Sequence, residues 1–108
     1  MKTKLSSKSK IPDWYAQIYE VVAAIPRGSV LTYGEVAWQA NIASPRMVGQ
    51  ALHHNPDQSN IPCHRVVFAD GSLSPAFAFG GQNVQRKLLE AEGIEFVGEK
   101  VAPKYLRK

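Results

Sequence analysis

Apolar residues recur along this chain in short helical stretches, and the polar breaks between them mark out its elements. Trp14, Ile18, Val21, Val22 and Ile25 lie at helical spacing, which predicts a helix from Asp13 that ends at the turn Pro26-Arg27-Gly28. Val30 and Leu31 make a brief apolar lead-in to Thr32-Tyr33-Gly34-Glu35. That tetrad reads as a capping box, with Thr32 as N-cap and Glu35 reaching back to its amide. The helix it starts runs to about Ala40 and is broken by Asn41-Ile42-Ala43. Ser44-Pro45 opens another, with Ser44 as N-cap and proline at the first helical position, ending near His54 before Asn55-Pro56. Two short helices joined by a few residues predict a helix-turn-helix.

In the second of these helices Val48, Ala51 and Leu52 form the inward stripe. Arg46, Gln50 and His53 occupy another face, with Gly49 beside them. A solvated helix has such a face, and so does one that lets backbone approach DNA closely. Beyond it, the polar loop Asn55–Asn60 leads to Pro62-Cys63-His64-Arg65 and a short strand, Val66-Val67-Phe68. Asp70-Gly71 signals a turn, and the aperiodic stretch Ser72–Gly81 reads as a mobile loop. Gln82–Glu92 is predicted as a helix packed through Val84, Leu88 and Ala91 and capped by Gly93. Ile94, Phe96 and Val101 belong to a terminal strand or extended tail. The fold class is mostly α with a small β element.

With 108 residues, the chain reads as one domain over residues 12–108, preceded by a Lys- and Ser-rich basic tail, residues 1–11, expected to be disordered. Net charge is +4, but the excess sits at the ends. Between Ile11 and Glu99 all nine acids face only Arg27, Arg46, Arg65, Arg86 and Lys87. Charge alone therefore favours a nucleic-acid partner only slightly. One cysteine excludes an intramolecular disulfide and any multi-cysteine metal site. His53, His54 and His64 follow no metal-ligand spacing, so neither metal nor cofactor is expected. No apolar run suits a membrane span or a signal peptide, and a cytoplasmic address is expected.

An isolated cysteine is ordinarily a small buried hydrophobe. Here Pro62 constrains the backbone before Cys63, and His64 follows directly, so a bridging water can relay a proton between thiol and imidazole. A histidine nearby populates the thiolate, which is the nucleophile. A carboxylate behind that histidine would set its tautomer, and Glu92, Glu90 and Asp57 are all candidates.

Four segments taken together resemble the active-site domain of the O6-alkylguanine-DNA alkyltransferases. They are Ile25-Pro26-Arg27-Gly28 with Thr32-Tyr33-Gly34-Glu35-Val36-Ala37; Arg46-Met47-Val48-Gly49-Gln50-Ala51; Asn55-Pro56 with Ile61-Pro62-Cys63-His64-Arg65-Val66-Val67; and Gly80-Gly81 with Leu88-Leu89-Glu90-Ala91-Glu92-Gly93. The resemblance implies a winged-helix-like helix-turn-helix domain that binds double-stranded DNA in the minor groove as a monomer. It implies Cys63 as the alkyl acceptor, His64 as its water-mediated base, Glu92 as the carboxylate orienting that base, and Asn55 as a support of the turn. Tyr33 would help rotate the nucleotide and bond the lesion base, and Arg46 would fill the vacated place, with Gly49 and Gln50 on the DNA. Val66 and Phe79 would line the lesion pocket. A thiol cannot reach the O6-alkyl carbon inside the stack, so the base must be flipped, at a few kcal/mol. The thioether product has no easy return to thiolate, so one molecule repairs one lesion.

The match departs in places. Ser72–Gly81 is about two residues longer than the family pattern, Ala78-Phe79 stand where tyrosine-serine is common, and Met47 replaces a small residue. The companion domain that many alkyltransferases carry on the N-terminal side is not among these residues. The sequence is also similar to the alkyltransferase-like proteins, which bind alkylguanine without repairing it and pass the lesion to excision-repair proteins. Those typically carry tryptophan or alanine in place of Cys63. A helix-turn-helix regulator is a third reading, but it leaves Pro62-Cys63-His64-Arg65 unexplained.

Overall fold

The first apolar stripe folds as helix α1 (Trp14–Ala23) in the computed structural model, which describes residues 12–75, 77 and 79–106. The basic segment 1–11 expected to be disordered, and Ala78 of the departing loop, lie outside the described residues. Strand β1 (Leu31–Thr32) and helices α2 (Tyr33–Ala40) and α3 (Pro45–His53) follow. A single 3-10 turn, Cys63–Arg65, runs directly into strand β2 (Val66–Val67). Helix α4 (Gly81–Ala91), the hairpin strands β3 (Phe96–Val97) and β4 (Lys100–Val101), and a last 3-10 turn, Pro103–Tyr105, complete the order. The result is mostly helical with a helix-turn-helix, α2–α3, and little sheet. Among the described residues no helix is long and apolar enough to cross a membrane.

The capping box forms as its spacing predicts. Glu35 N donates to Thr32 Oγ1 at 3.1 Å, and Thr32 N donates to Glu35 Oε1 at 2.8 Å. Asn41 ends α2 in the left-handed region (φ 61°), which asparagine tolerates. Ser44 stands at the N-cap of α3 in extended backbone, but its side chain makes no capping bond; Pro45 at the first position sets the helical φ instead.

Two apolar clusters make the core. One gathers Ile18 and Val22 of α1, Val36 of α2, and Val48 and Ala51 of α3 around Cys63 and Val66. The other holds Val30, Val67, Leu73, Leu89, Ile94 and Val101. Strand β2 serves both, because successive side chains of a strand point to opposite faces. It pairs in parallel with β1, Leu31 opposite Val66 and Thr32 opposite Val67. A two-residue strand has no readable period, so this pairing is a finding of the structure alone.

One predicted face is wrong by a residue. Helix α4 buries Gln85 and Leu89, whereas Val84 is 37% exposed, Leu88 only partly buried and Ala91 exposed. The cause is hydrogen-bond demand. Gln85 Nε2 donates to the carbonyls of His64 and Val66, each at 3.0 Å, one in the 3-10 turn and one in the strand after it. An apolar side chain at that place would take this donor from both carbonyls. The loop before α4 is anchored where it is described: Leu73 is buried, and Phe77 packs on the first cluster.

Candidate functional site

Cys63 opens the 3-10 turn between the two clusters and is 3% exposed. The loop before it is pinned to itself. Asn55 Nδ2 donates to the Ile61 carbonyl at 2.7 Å, and its Oδ1 accepts from Asp57 N at 2.8 Å. Ile61 N in turn donates to the Asp57 carbonyl at 2.8 Å. Asn55 itself is 8% exposed, so this buried amide ties both ends of the loop together and fixes the approach to the thiol.

Behind the thiol lies a continuous polar chain. Gln58 Oε1 accepts from Cys63 Sγ at 3.1 Å, and Gln58 Nε2 lies 2.8 Å from His64 Nδ1. His64 Nε2 lies 2.8 Å from Glu92 Oε2. Glu92 also takes a two-pronged contact from Arg65, Nε to Oε1 at 2.9 Å and Nη2 to Oε2 at 2.8 Å. Arg65 Nη1 donates to the Ile25 carbonyl at 2.7 Å. Of the three carboxylates that the residues left open, the structure brings Glu92 to the imidazole. The chain turns abruptly after α4 to present it, with Gly93 next in sequence at φ +89°, a conformation glycine adopts without strain.

The charges follow from these contacts. Burial pushes Glu92 up, but hydrogen bonds and charge from Arg65 and His64 outweigh it and hold the carboxyl at about 2. Burial lowers His64, the Glu92 hydrogen bond and charge raise it, and the Arg65 and Arg27 charges lower it further; the net direction is down. Burial raises the Cys63 thiol, with hydrogen bonds from Asn55 and its own backbone opposing. At rest the site therefore favours a neutral thiol and a neutral imidazole on a charged Arg65–Glu92 pair. With Nε2–H donated to Glu92, Nδ1 is the basic nitrogen.

In front of the thiol is a cavity of about 400 Å³. Helix α3 supplies one wall through Arg46, Gly49, Leu52 and His53. Tyr33, at the start of α2, and Phe68, Ser74 and Phe77 close the other sides around Cys63. Tyr33 and Phe68 meet ring to ring at 5.1 Å. Burial raises the Tyr33 phenol, a hydrogen bond with Ser74 opposes this, and nearby Cys63 adds to it. The space is lined mainly by carbon, with the sulfur at its base. A Cβ built on Gly49 would meet nothing within 4 Å, so its missing side chain leaves room toward the outside of the fold. Among the described residues no group of three or more His, Cys, Asp or Glu side chains could hold a metal ion.

Most residues singled out from sequence thus stand in one place: Cys63, His64, Glu92 and Asn55 behind the cavity, Tyr33, Arg46 and Gly49 around it. Gln50 is exposed on α3 away from the cavity wall. Val66 and Phe79 are not on that wall. Val66 is fully buried in the core, and Phe79 is 38% exposed with its ring 5.9 Å from that of Phe77. Phe77, Phe68 and Leu52 take the lining positions instead. Gln58 and Gln85 carried no signal in the sequence, since an isolated glutamine in a loop or helix has no period or motif.

Residues 13–94 match the family model described as 6-O-methylguanine DNA methyltransferase, DNA binding domain. The chain belongs to this family. It is 42% identical over 87 residues to a methylated-DNA–protein-cysteine methyltransferase of Methanothermobacter thermautotrophicus, covering 81% of this chain and 48% of that protein. The family member described here thus spans about half the length of that relative. It is 37% identical over 87 residues to alkyltransferase-like protein 1 of Schizosaccharomyces pombe, covering 80% of this chain and 81% of that one. Its fold also matches S. pombe Atl1 in complex with damaged DNA containing O6-carboxymethylguanine, with a TM-score of 0.74 at 32% identity over 93% of this chain and 99% of that one.

Proposed function

We propose that this protein flips O6-alkylguanine from duplex DNA and transfers the alkyl group irreversibly to Cys63. The observation that carries this reading is the thiol at the base of an apolar cavity beside the recognition helix, backed by the chain Gln58–His64–Glu92. Helix α3 enters the minor groove, with Gly49 allowing close approach and Gln50 outward on the same helix. Tyr33 turns the nucleotide, and Arg46 takes its place in the stack. His64 accepts the thiol proton at Nδ1. The thiolate attacks the alkyl carbon, the S–C bond forms, the C–O bond breaks, and guanine leaves as an anion that takes up a proton. No metal or cofactor takes part, and the working unit is a monomer. A cytoplasmic, nucleoid-associated location follows from the DNA partner.

The second reading is a lesion sensor that binds O6-alkylguanine and recruits excision-repair proteins. The likeness to S. pombe Atl1 over nearly the whole of both chains favours it, as does a resting thiol that burial keeps neutral. Mixing the protein with a duplex containing O6-methylguanine separates the two. Transfer adds one methyl mass to the peptide holding Cys63, and Cys63→Ser abolishes this while sparing binding. Tight lesion binding with no added mass assigns the sensor role. Equal affinity for damaged and undamaged duplex removes both readings.

A further inference from the structure

The thiol and the imidazole meet through a side chain of the chain itself. Gln58 is half-buried in the loop that Asn55 and Asp57 pin shut, with Asp57 Oδ2 accepting from Asn60 Nδ2 at 2.8 Å. Its carboxamide is held at the one place where it reaches both groups, Sγ at 3.1 Å and Nδ1 at 2.8 Å. At rest every role matches: the thiol donates to Oε1, Nε2 donates to unprotonated Nδ1, and Nε2–H of the ring donates to Glu92. Once Sγ has lost a proton and Nδ1 has gained one, both roles invert. A carboxamide turned half-way about its terminal bond meets the inverted pair as well, because its oxygen and nitrogen are nearly the same size. The –NH2 then donates to the thiolate and the carbonyl accepts from Nδ1–H, both charge-assisted bonds.

We infer that Gln58 is a catalytic residue that couples Cys63 to His64: sulfur gives its proton to water, Nδ1 takes one from water, and the carboxamide turns to meet the thiolate and the imidazolium, so that the two groups titrate as one unit. The other titratable and charged groups facing the pair are Tyr19 from α1, Tyr33 from α2, Arg46 and His53 from α3 across the cavity, and Arg27, Arg65 and Glu92 around the imidazole. They are unchanged in the variants below. The inference rests on Cys63 as alkyl acceptor, but its test needs no DNA.

Iodoacetamide alkylates a thiolate, and Cys63 is the sole cysteine, so intact mass reports its rate directly. The rate is measured from pH 5 to pH 10 for the full chain, for Gln58→Leu, for His64→Asn and for the double variant. Each single change should move the profile toward higher pH by roughly one unit, which slows alkylation about tenfold near neutrality. Adding His64→Asn to Gln58→Leu should then change nothing further. An equal slowing by His64→Asn in both backgrounds overturns the inference. Gln58→Glu keeps the size and accepts hydrogen bonds but cannot donate to a thiolate. It should react at least as slowly as Gln58→Leu, and a rate equal to that of the unaltered protein overturns the inference even if Gln58→Leu fails to fold. Intact coupling without methyl transfer from an O6-methylguanine duplex overturns the acceptor reading and the catalytic role with it, and leaves only the linked titration of Cys63 and His64 standing.

Discussion

Replacing Glu92 by glutamine preserves shape and removes one charge from the centre of the site. The carboxylate side chain is 6% exposed and that of Arg65 15%, so the substitution leaves a guanidinium in a half-dry place without its counter-charge. Removing one partner of a buried ion pair costs about 3–5 kcal/mol. The depressed carboxyl gives a second figure for the same contacts. A carboxyl held at about 2 rather than 4.5 stabilises the folded state by about 3 kcal/mol at neutral pH. Because the folded-state value is the lower one, that contribution is full above pH 4.5 and is lost as pH falls toward 2. Glu92→Gln should therefore lose about 3 kcal/mol at pH 7, which for a domain of this size lowers Tm by roughly 12–24 °C. The same variant should lose less stability than the unaltered protein between pH 4.5 and pH 2. Asp70, held at about 2 by Ser72 and Lys100, titrates in the same range but is present in both proteins and cancels in the difference. Urea unfolding at several pH values measures both quantities. A loss under 1 kcal/mol at neutral pH, with parallel acid limbs, would refute the reasoning and show that solvent already screens the pair.

Four further substitutions test other links. Arg46→Ala and Tyr33→Phe should each weaken binding to an O6-methylguanine duplex roughly tenfold, since flipping costs a few kcal/mol that these side chains would partly offset in their proposed roles; unchanged repair rates in both would remove those roles. Gly49→Ala meets no neighbour in the fold, so it should stabilise the helix by about 0.5–1 kcal/mol in thermal unfolding. In a gel-shift titration it should nonetheless weaken DNA binding, and unimpaired affinity would take α3 out of the groove. Gln85→Leu strips two carbonyls of their donor, so it should destabilise the protein by about 2–4 kcal/mol, read by urea unfolding.

Much of the site was legible because its signals are local. A capping box is a four-residue statement about backbone donors, and Thr32 and Glu35 make both of its bonds. The stripe Val48, Ala51 and Leu52 faces inward because the helix period forces it to. The choice of Glu92 over Glu90 or Asp57 was not legible from the residues, since it depends on how α4 meets the turn; only the family resemblance pointed to it. Gln85 misled the face of α4 because a polar residue was drawn inward by carbonyls 19 and 21 residues away. Gln58 was read as part of a polar spacer. Its importance comes from two hydrogen bonds made only once the loop has closed. Hydrogen bonds made only in the folded chain, rather than hydrophobic pattern, account for both misses.

The parallel ladder between β1 and β2 joins Thr32, the cap residue just before Tyr33, to Val67, two residues beyond the cysteine turn. Neighbouring strands keep a spacing of about 4.8 Å, so the phenol and the sulfur behave as two jaws on one rigid frame. A bulkier alkyl group cannot be accommodated by spreading them. Room can come from the side held by Ser74 and Phe77, which lie outside the helices and strands among the described residues. On the transferase reading, adduct range would then be a property of that loop and not of the helix-turn-helix. Phe77→Ala should speed the reaction of Cys63 with O6-benzylguanine relative to O6-methylguanine, and an unchanged ratio would place the limit on the rigid jaws.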